Sequence, residues 1–492
     1  MKYFIGADLG TSALKLLLVR NDGKIVKTVA RSYEVSYPAP NRSEQSPEDW
    51  WNAFVSGVKE LTAEYDKSSI CGIGIAGQMH GLVILDKDDD VIRPAILWND
   101  GRTDKETEYL NRTIGTKRLS ELTANIAFAG FTAPKLIWLK ANEPENFRKI
   151  SKIMLPKDYL NYRLTGVHCT DYSDASGMLL LDVQNKCWAQ DMLEICNISE
   201  DLLPKLYNSF EVTGTLLPEV AGELGLNAGT IVVAGAGDNA AAAVGTGTVG
   251  SGKCNISLGT SGTVFIPQNR FSPLSNNALH NFCHADGGWH YMGVVLSAAS
   301  CNKWFCNDIL GTDDYKAEES GITDDKLGNN HVFFLPYLMG ERSPINDTNA
   351  KGLFIGMRMN TKRSDMVQAV LEGVAFAIRD SVEIVKQTGS SIATSTLCGG
   401  GAKSALWQKI MANVLNITIQ IPATEEGPGL GAAMLAMVGC NEFSSVKEAS
   451  KSFVKITKTV SPDPETVARY EKQYQKFIKI YPEIKNLYKE II

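Results

Sequence analysis

Along this chain, apolar positions come in short blocks closed by glycines and small polar residues, the rhythm of strands and turns, interrupted by a few helical stripes. FIGADL and ALKLLLV read as two strands around the turn Gly10-Thr11-Ser12, and Asn21-Asp22-Gly23 turns the chain into a third β-rich run over 24–35. An antiparallel three-stranded start is therefore predicted. Pro47 and Glu48 open a helix in which Trp50, Trp51, Phe54, Val55, Val58 and Leu61 fall on one stripe, so this helix faces a core. Residues 70–76 form a short buried strand ending in Gly77-Gln78-Met79-His80-Gly81, a glycine-bounded loop of the kind that carries ligands.

The same opening recurs about half a chain later. CNISLGTSGTVFIP repeats the Leu-Gly-Thr-Ser core, with Gly259 in the place of Gly10 and Ser257 in the place of Asp8. A single repeat at that distance predicts two copies of one domain. Helices over 297–310, 362–386 and 403–414 alternate with apolar strands over 394–398 and 417–421, giving an α/β class with two similar sheets. Gly245, Gly247, Gly250 and Gly252 loosen the chain between the copies, so the domains are set at 1–248 and 249–492, with a helix exchange near the C-terminus left open.

Composition narrows the classes. The 492 residues are 44% hydrophobic, ample for two cores. The 49 basic and 55 acidic residues give a net charge of −6 without a long Lys/Arg run, which argues against a nucleic-acid partner. No stretch approaches the roughly 18 apolar residues of a membrane span, and no signal peptide is read at the N-terminus. Ten scattered cysteines without a CxxC pair fit a reducing, cytoplasmic setting. His280, Cys283 and His284 form the one cluster that hints at zinc, but no second ligand pair stands at a suitable spacing, and packing is the preferred reading.

Four loops have the chemistry of triphosphate handling. Gly10, Thr11 and Ser12 offer free backbone N–H groups and hydroxyls, Lys15 a cation, and Asp8 a carboxylate suited to magnesium held through water. Alone such a turn is weak evidence, since turns of this composition are common; its repetition at Gly259 and Thr260 lets two hairpins enclose phosphates from both sides. Cys398-Gly399-Gly400-Gly401-Ala402-Lys403-Ser404 follows a strand and opens a helix, leaving room for nucleoside. It is neither a GxGxxG fingerprint nor a GxxxxGK[ST] P-loop. The fourth, Gly235-Ala236-Gly237-Asp238-Asn239, ends the apolar run 230–234 and frames a carboxylate with small residues; a helix cap is its structural reading, compatible with a catalytic one.

These segments carry a resemblance. GADLGTSALK, IAGQMHG, RPAILWNDGR, FTAPKLIWL, LPKDYL, GAGDNAAAA, SLGTSGTV, FLPYLMGERSP, GLFIGM, AVLEGVAFAIRD and CGGGAKS together make the chain similar, nearly end to end, to the FGGY carbohydrate kinases, and most similar to their D-xylulose-phosphorylating branch. The resemblance implies two ribonuclease H-like domains of the actin, hexokinase and Hsp70 type closing over a cleft. It implies ATP and magnesium as cofactors, a small ketose as substrate, and a homodimer. Asp238 matches the family's general base and Asp8 the residue tied to magnesium and activity. Met79 and His80 match the sugar-binding pair, with Trp98, Asn99, Asp100 and Asn239 beside them. Thr11, Thr260, Gly400 and Gly401 fall on nucleotide positions. Lys403 stands where the family often has Arg, and the FTAPK segment departs from the usual ending at Ala141. A kinase for another pentulose such as ribulose, a non-catalytic sugar sensor, and an actin- or Hsp70-like ATPase are the competing readings. Intact Asp8 and Asp238 argue against the sensor, and GQMHG with WNDGR argues for a sugar pocket over an Hsp70 role.

Overall fold

Two hairpins of the same design seed two sheets. The computed structural model describes residues 1–274 and 277–491. In the first sheet, β1 (Tyr3–Leu9) pairs antiparallel with β2 (Ala13–Arg20), and β2 with β3 (Ile25–Ser32). On its other side β1 runs parallel to β4 (Ile70–Gly77), and β4 parallel to β5 (Ile231–Val233), so the spatial order is β3-β2-β1-β4-β5 with Val212–Thr215 at the edge. The second sheet repeats that order with β6 (Lys253–Leu258), β7 (Gly262–Gln268), β8 (Trp289–Val295), β9 (Thr394–Cys398) and β10 (Thr418–Pro422), flanked by the edge strands His280–Cys283 and Ile456–Val460. Three antiparallel strands followed by two parallel ones, twice, is the ribonuclease H-like arrangement. Leu9 to Gly10 and Leu258 to Gly259 occupy matching hairpin tips.

The predicted helical stripe forms α1 (Pro47–Thr62), and Trp50, Phe54, Val58 and Leu61 are fully buried against the first sheet. After β5 comes α2 (Asp238–Gly245), and α3 (Arg363–Gln387) is the buried spine of the second half. Burying one Leu- or Phe-sized side chain contributes about 1.5–3 kcal/mol, so either core outweighs any surface contact described below.

One helix crosses over. α4 (Gly427–Gly439), apolar on every side, follows β10 in the chain but packs on β1, β4 and α2 of the first half. The approach is backbone to backbone: a Cβ on Gly6 would stand 1.9 Å from the Gly429 carbonyl oxygen, and one on Gly74 would stand 2.1 Å from that of Ala432. Only glycine fits there. The exchange left open by the sequence is thus realised, and it closes the far face of the first sheet.

Three boundaries differ from expectation. The helix over 403–414 begins at Ala405, because the Ser404 hydroxyl accepts the Trp407 N–H at 3.0 Å and caps it, while Gly400–Lys403 make a single tight turn. The helix over 297–310 is regular only across Ala299–Trp304 and continues as a wider turn over Phe305–Ile309. Asp238 is the first residue of α2 and Gly237 holds the cap, so the capping reading of Asp238 is off by one position.

Candidate active site

The ends of β1, β4 and β5 deliver Asp8, Met79–His80 and Asp238 to one edge of the first sheet, since Asp8 sits opposite Ala76 and Gly237 opposite Gly77. Asp238 Oδ1 accepts the backbone N–H of Asn239 at 2.7 Å and its side-chain amide at 2.9 Å, which leaves Oδ2 without a donor. Burial raises this carboxyl to about 6, with the Asn239 bonds pulling it back. Asp8 rises to about 7, first through burial and then through the charge of Asp238, against the pull of Lys15. Two carboxylates with pKa values near neutrality at the mouth of a cleft are the expected signature of proton-transfer or metal chemistry.

Behind Asp238 lies a buried ionic cluster. Ser173 Oγ accepts the Gly237 N–H at 3.1 Å and donates to Asp171, which also accepts from Ser209 Oγ at 2.7 Å. Lys157 Nζ, fully buried, pairs with Asp158 at 2.6 Å, Asp171 at 3.0 Å and Asp174 at 3.5 Å. The loop bearing the candidate base is thereby tied to a rigid polar core.

His80 lies in the left-handed region with φ of 69°, and its ring stacks on Phe131 at 4.6 Å. Its own carbonyl accepts from Lys135 Nζ at 2.8 Å and from Thr132 Oγ1 at 3.1 Å. Burial drives the imidazole down to about 3, so it is neutral. With Nδ1 facing the Gly177 carbonyl at 2.7 Å, Nε2 is left as an acceptor.

Across the cleft a cavity of about 1230 Å³ is lined by Gly259, Thr260, Ser300, Asn302, Lys303, Tyr315, Gly400, Gly401 and Lys403, among others. It gathers the second hairpin turn and the glycine-rich loop, far apart in sequence, around a space of nucleotide size.

Residues 3–245 match the N-terminal domain of the FGGY family of carbohydrate kinases, and residues 254–440 match its C-terminal domain. The chain belongs to the FGGY family of carbohydrate kinases. It is a sugar kinase, with ATP as phosphoryl donor. A xylulose kinase of Escherichia coli K12 is 41% identical over 98% of this chain and 99% of its own length. A solved kinase from Brucella ovis, described as a xyloylose kinase, superposes with a TM-score of 0.94 at 39% identity, covering 99% of this chain and 100% of that one. A solved gluconate kinase from Lactobacillus acidophilus superposes with the same TM-score of 0.94 at 26% identity, covering all of both chains.

Within this FGGY kinase the residues singled out by sequence separate into groups. Asp8, Met79, His80, Asp238 and Asn239 converge at one edge of the first sheet, Asn239 as the hydrogen-bond partner of Asp238. Gly259, Thr260, Gly400 and Gly401 line the cavity of the second half, and Ala402 beside them is buried. Gly10 closes its hairpin by donating to Ala13 O at 3.1 Å. The backbone carbonyl of Ser12 accepts the Tyr33 N–H, and the Ser12 side chain is exposed. Thr11 Oγ1 accepts from the Trp98 indole at 2.9 Å and donates to Gln78 at 3.2 Å, so it links the Gly10 turn to the loop of Met79 and His80. Trp98 is 44% exposed and faces open space beyond that bond. Lys15 pairs with Glu426 of the second half at 2.9 Å.

Asp100 is spent on structure: Arg102 takes both of its oxygens and the Ser43 N–H donates at 2.6 Å, in a buried network continuing through Glu44 to Arg93. An acid in a polar loop looks the same in sequence whether it meets a ligand or an arginine. The His280 ring stacks on Phe282, Cys283 Sγ faces the Val183 carbonyl at 3.7 Å and His284 Nε2 faces the Thr248 carbonyl at 3.1 Å, and no three His, Cys, Asp or Glu among the described residues group as metal ligands. Asn99 is exposed and makes no hydrogen bond among the described residues. Sequence reasoning missed Lys135 and Thr132 as clamps of His80, and Ser300, Asn302, Lys303 and Tyr315 as cavity walls. The Lys of FTAPK was visible as a motif without a role.

Proposed function

We propose that this kinase phosphorylates the terminal hydroxyl of D-xylulose to give D-xylulose 5-phosphate, by direct in-line transfer from ATP. The observation that carries the reading is Asp238, poised at about 6, held through one oxygen and placed beside the Met79–His80 loop. Asp238 Oδ2 takes the hydroxyl proton as that oxygen attacks the γ-phosphorus, with no phosphoenzyme. His80 Nε2 accepts a sugar hydroxyl, and Thr260, Gly400 and Gly401 cradle the nucleotide from the second half. Halves 1–248 and 249–492 close over both ligands and exclude water, which keeps ATP from hydrolysis.

Magnesium fits Asp8. Its carboxylate accepts no hydrogen bond from any described residue and lies in the repulsive field of Asp238, so a divalent cation satisfies a group that the protein leaves unpaired. When bound, the ion neutralises charge on the triphosphate.

All ten cysteines are free, which supports a cytoplasmic setting, and no helix among the described residues is long and apolar enough to cross a membrane. A homodimer rests on family likeness alone.

The likeness to a gluconate kinase favours one competing reading, a different acceptor on the same fold. ADP release across D-xylulose, D- and L-ribulose, xylitol, glycerol and gluconate separates them. D-xylulose should give the highest kcat/KM, and a tenfold preference for another acceptor would overturn the assignment.

A further inference from the structure

Beside His80, the second half contributes two polar side chains that make no side-chain hydrogen bond among the described residues. The edge strand His280–Cys283 docks into the first half, where Asn125 Nδ2 donates to the Asn281 carbonyl at 2.9 Å and Asn125 Oδ1 accepts its N–H at 3.1 Å. That docking fixes the His280 ring against Phe282 at 5.3 Å, Phe128 at 5.0 Å and Phe131 at 5.6 Å. Phe131 in turn stacks on His80. His280 is only 3% exposed, and neither ring nitrogen has a hydrogen bond among the described residues.

Arg342 enters the same cluster. Its guanidinium lies over the Phe128 ring at 4.9 Å and makes no ion pair or hydrogen bond among the described residues. The adjacent Glu341 does not neutralise it by contact, because its Oε1 is turned to the backbone N–H groups of Leu296 and Arg342, at 2.9 and 2.8 Å. Phe128 meets Phe131 at 5.5 Å and Phe131 stacks on His80, so the guanidinium joins the His80 side of the site, where its charge helps hold both His80 and His280 neutral.

A largely buried cation and a buried imidazole without partners are costly, and native chains keep such groups where a ligand meets them. Five N–H donors and two neutral imidazoles suit a polyhydroxylated molecule with a carbonyl, whose oxygens accept from the fork and whose hydroxyls donate to the rings.

We propose that Arg342 and His280 are specificity residues of the sugar pocket, supplied by the second half, and that they bind the hydroxyketone end of the substrate, opposite the hydroxyl that Asp238 deprotonates. This rests on the reading of the chain as a pentulose kinase. A buried polar site built for an oxygen discriminates strongly against an analogue that cannot satisfy it.

The test uses Arg342→Met, which keeps the alkyl stem over Phe128 without the donors, Arg342→Lys, which keeps the charge without the fork, and His280→Phe, which keeps the ring stack. KM and kcat are measured for D-xylulose, for xylitol and for ATP, alongside thermal melts. For Arg342→Met the xylulose KM should rise about 10- to 100-fold, the loss expected of a charged hydrogen bond, with the ATP KM unchanged and the preference for ketose over polyol reduced. The melt should hold or rise, because an unpaired buried charge is removed. Should Arg342→Met prove unstable, Arg342→Lys carries the same prediction at smaller amplitude.

A xylulose KM within twofold of wild type in the Arg342 and His280 variants overturns the proposal, as does an unaltered ketose-to-polyol ratio. If wild type ignores xylulose, the acceptor assignment fails on its own. The variants are then read on the KM of the acceptor identified by the panel, where an unchanged value overturns the role of Arg342 and a raised one supports it.

Discussion

His80 Nδ1 lies 2.7 Å from the carbonyl oxygen of Gly177, which can only accept, so the ring's proton is placed there and Nε2 is free to receive one. His80→Asn tests that arrangement, because Asn tolerates the φ of 69° that the backbone adopts here but does not reproduce the ring acceptor. Sugar binding should weaken by about 0.5–1.5 kcal/mol while nucleotide binding holds. Titration calorimetry separates the two, and equal losses for both ligands would make His80 a structural residue.

Asp238→Asn should lower turnover by roughly 10² to 10⁴ and leave sugar affinity and the melt near wild type. The amide keeps the volume at the start of α2 and one acceptor for Asn239, but takes no proton. Xylulose-dependent ADP formation near the wild-type rate would remove Asp238 from the role of base.

The pH profile follows from the same carboxyl. A base raised to about 6 is inactive when protonated, so kcat/KM should fall as pH drops through about 6 and level off above it. Asp8, at about 7, binds a proton in competition with a cation, so added magnesium should shift the acid limb to lower pH. Rates at two magnesium concentrations between pH 5 and 8 check both statements; a limb near the ordinary carboxylate range at both concentrations refutes the burial of the base.

Features carried by neighbouring residues were readable in the chain. Gly10 and Gly259 announce their hairpins locally, and Asp238 is conspicuous among alanines and glycines. What escaped depends on partners far away in sequence. Lys135 gains its role from a carbonyl 55 residues earlier, Asp100 is engaged by the distant Ser43 N–H as well as by its near neighbour Arg102, and His280 and Arg342 acquire meaning only once a strand of the second half docks beside Phe128. Pattern reports faces and turns; it does not report which buried charge finds a partner.

Lys157→Met probes the polar core under the base. Removing the one cation shared by Asp158, Asp171 and Asp174 leaves buried carboxylates uncompensated, at a cost of roughly 3–5 kcal/mol. Chemical denaturation should show that loss, and Lys157→Met with Asp171→Asn should recover part of it. A variant as stable as wild type would mean the cluster is already neutralised by protons.

The helix Gly427–Gly439 has a bearing on how the chain is made. It is synthesised long after β1 and β4, yet Gly6 and Gly74 on those strands press against its backbone. Until it arrives, β1 and β4 present a bare apolar face to solvent, a template for wrong pairing. The order of synthesis therefore runs against the order of need: the first sheet waits for a segment made after β10 of the second, and a chain interrupted between the two halves would be left with β1 and β4 uncovered.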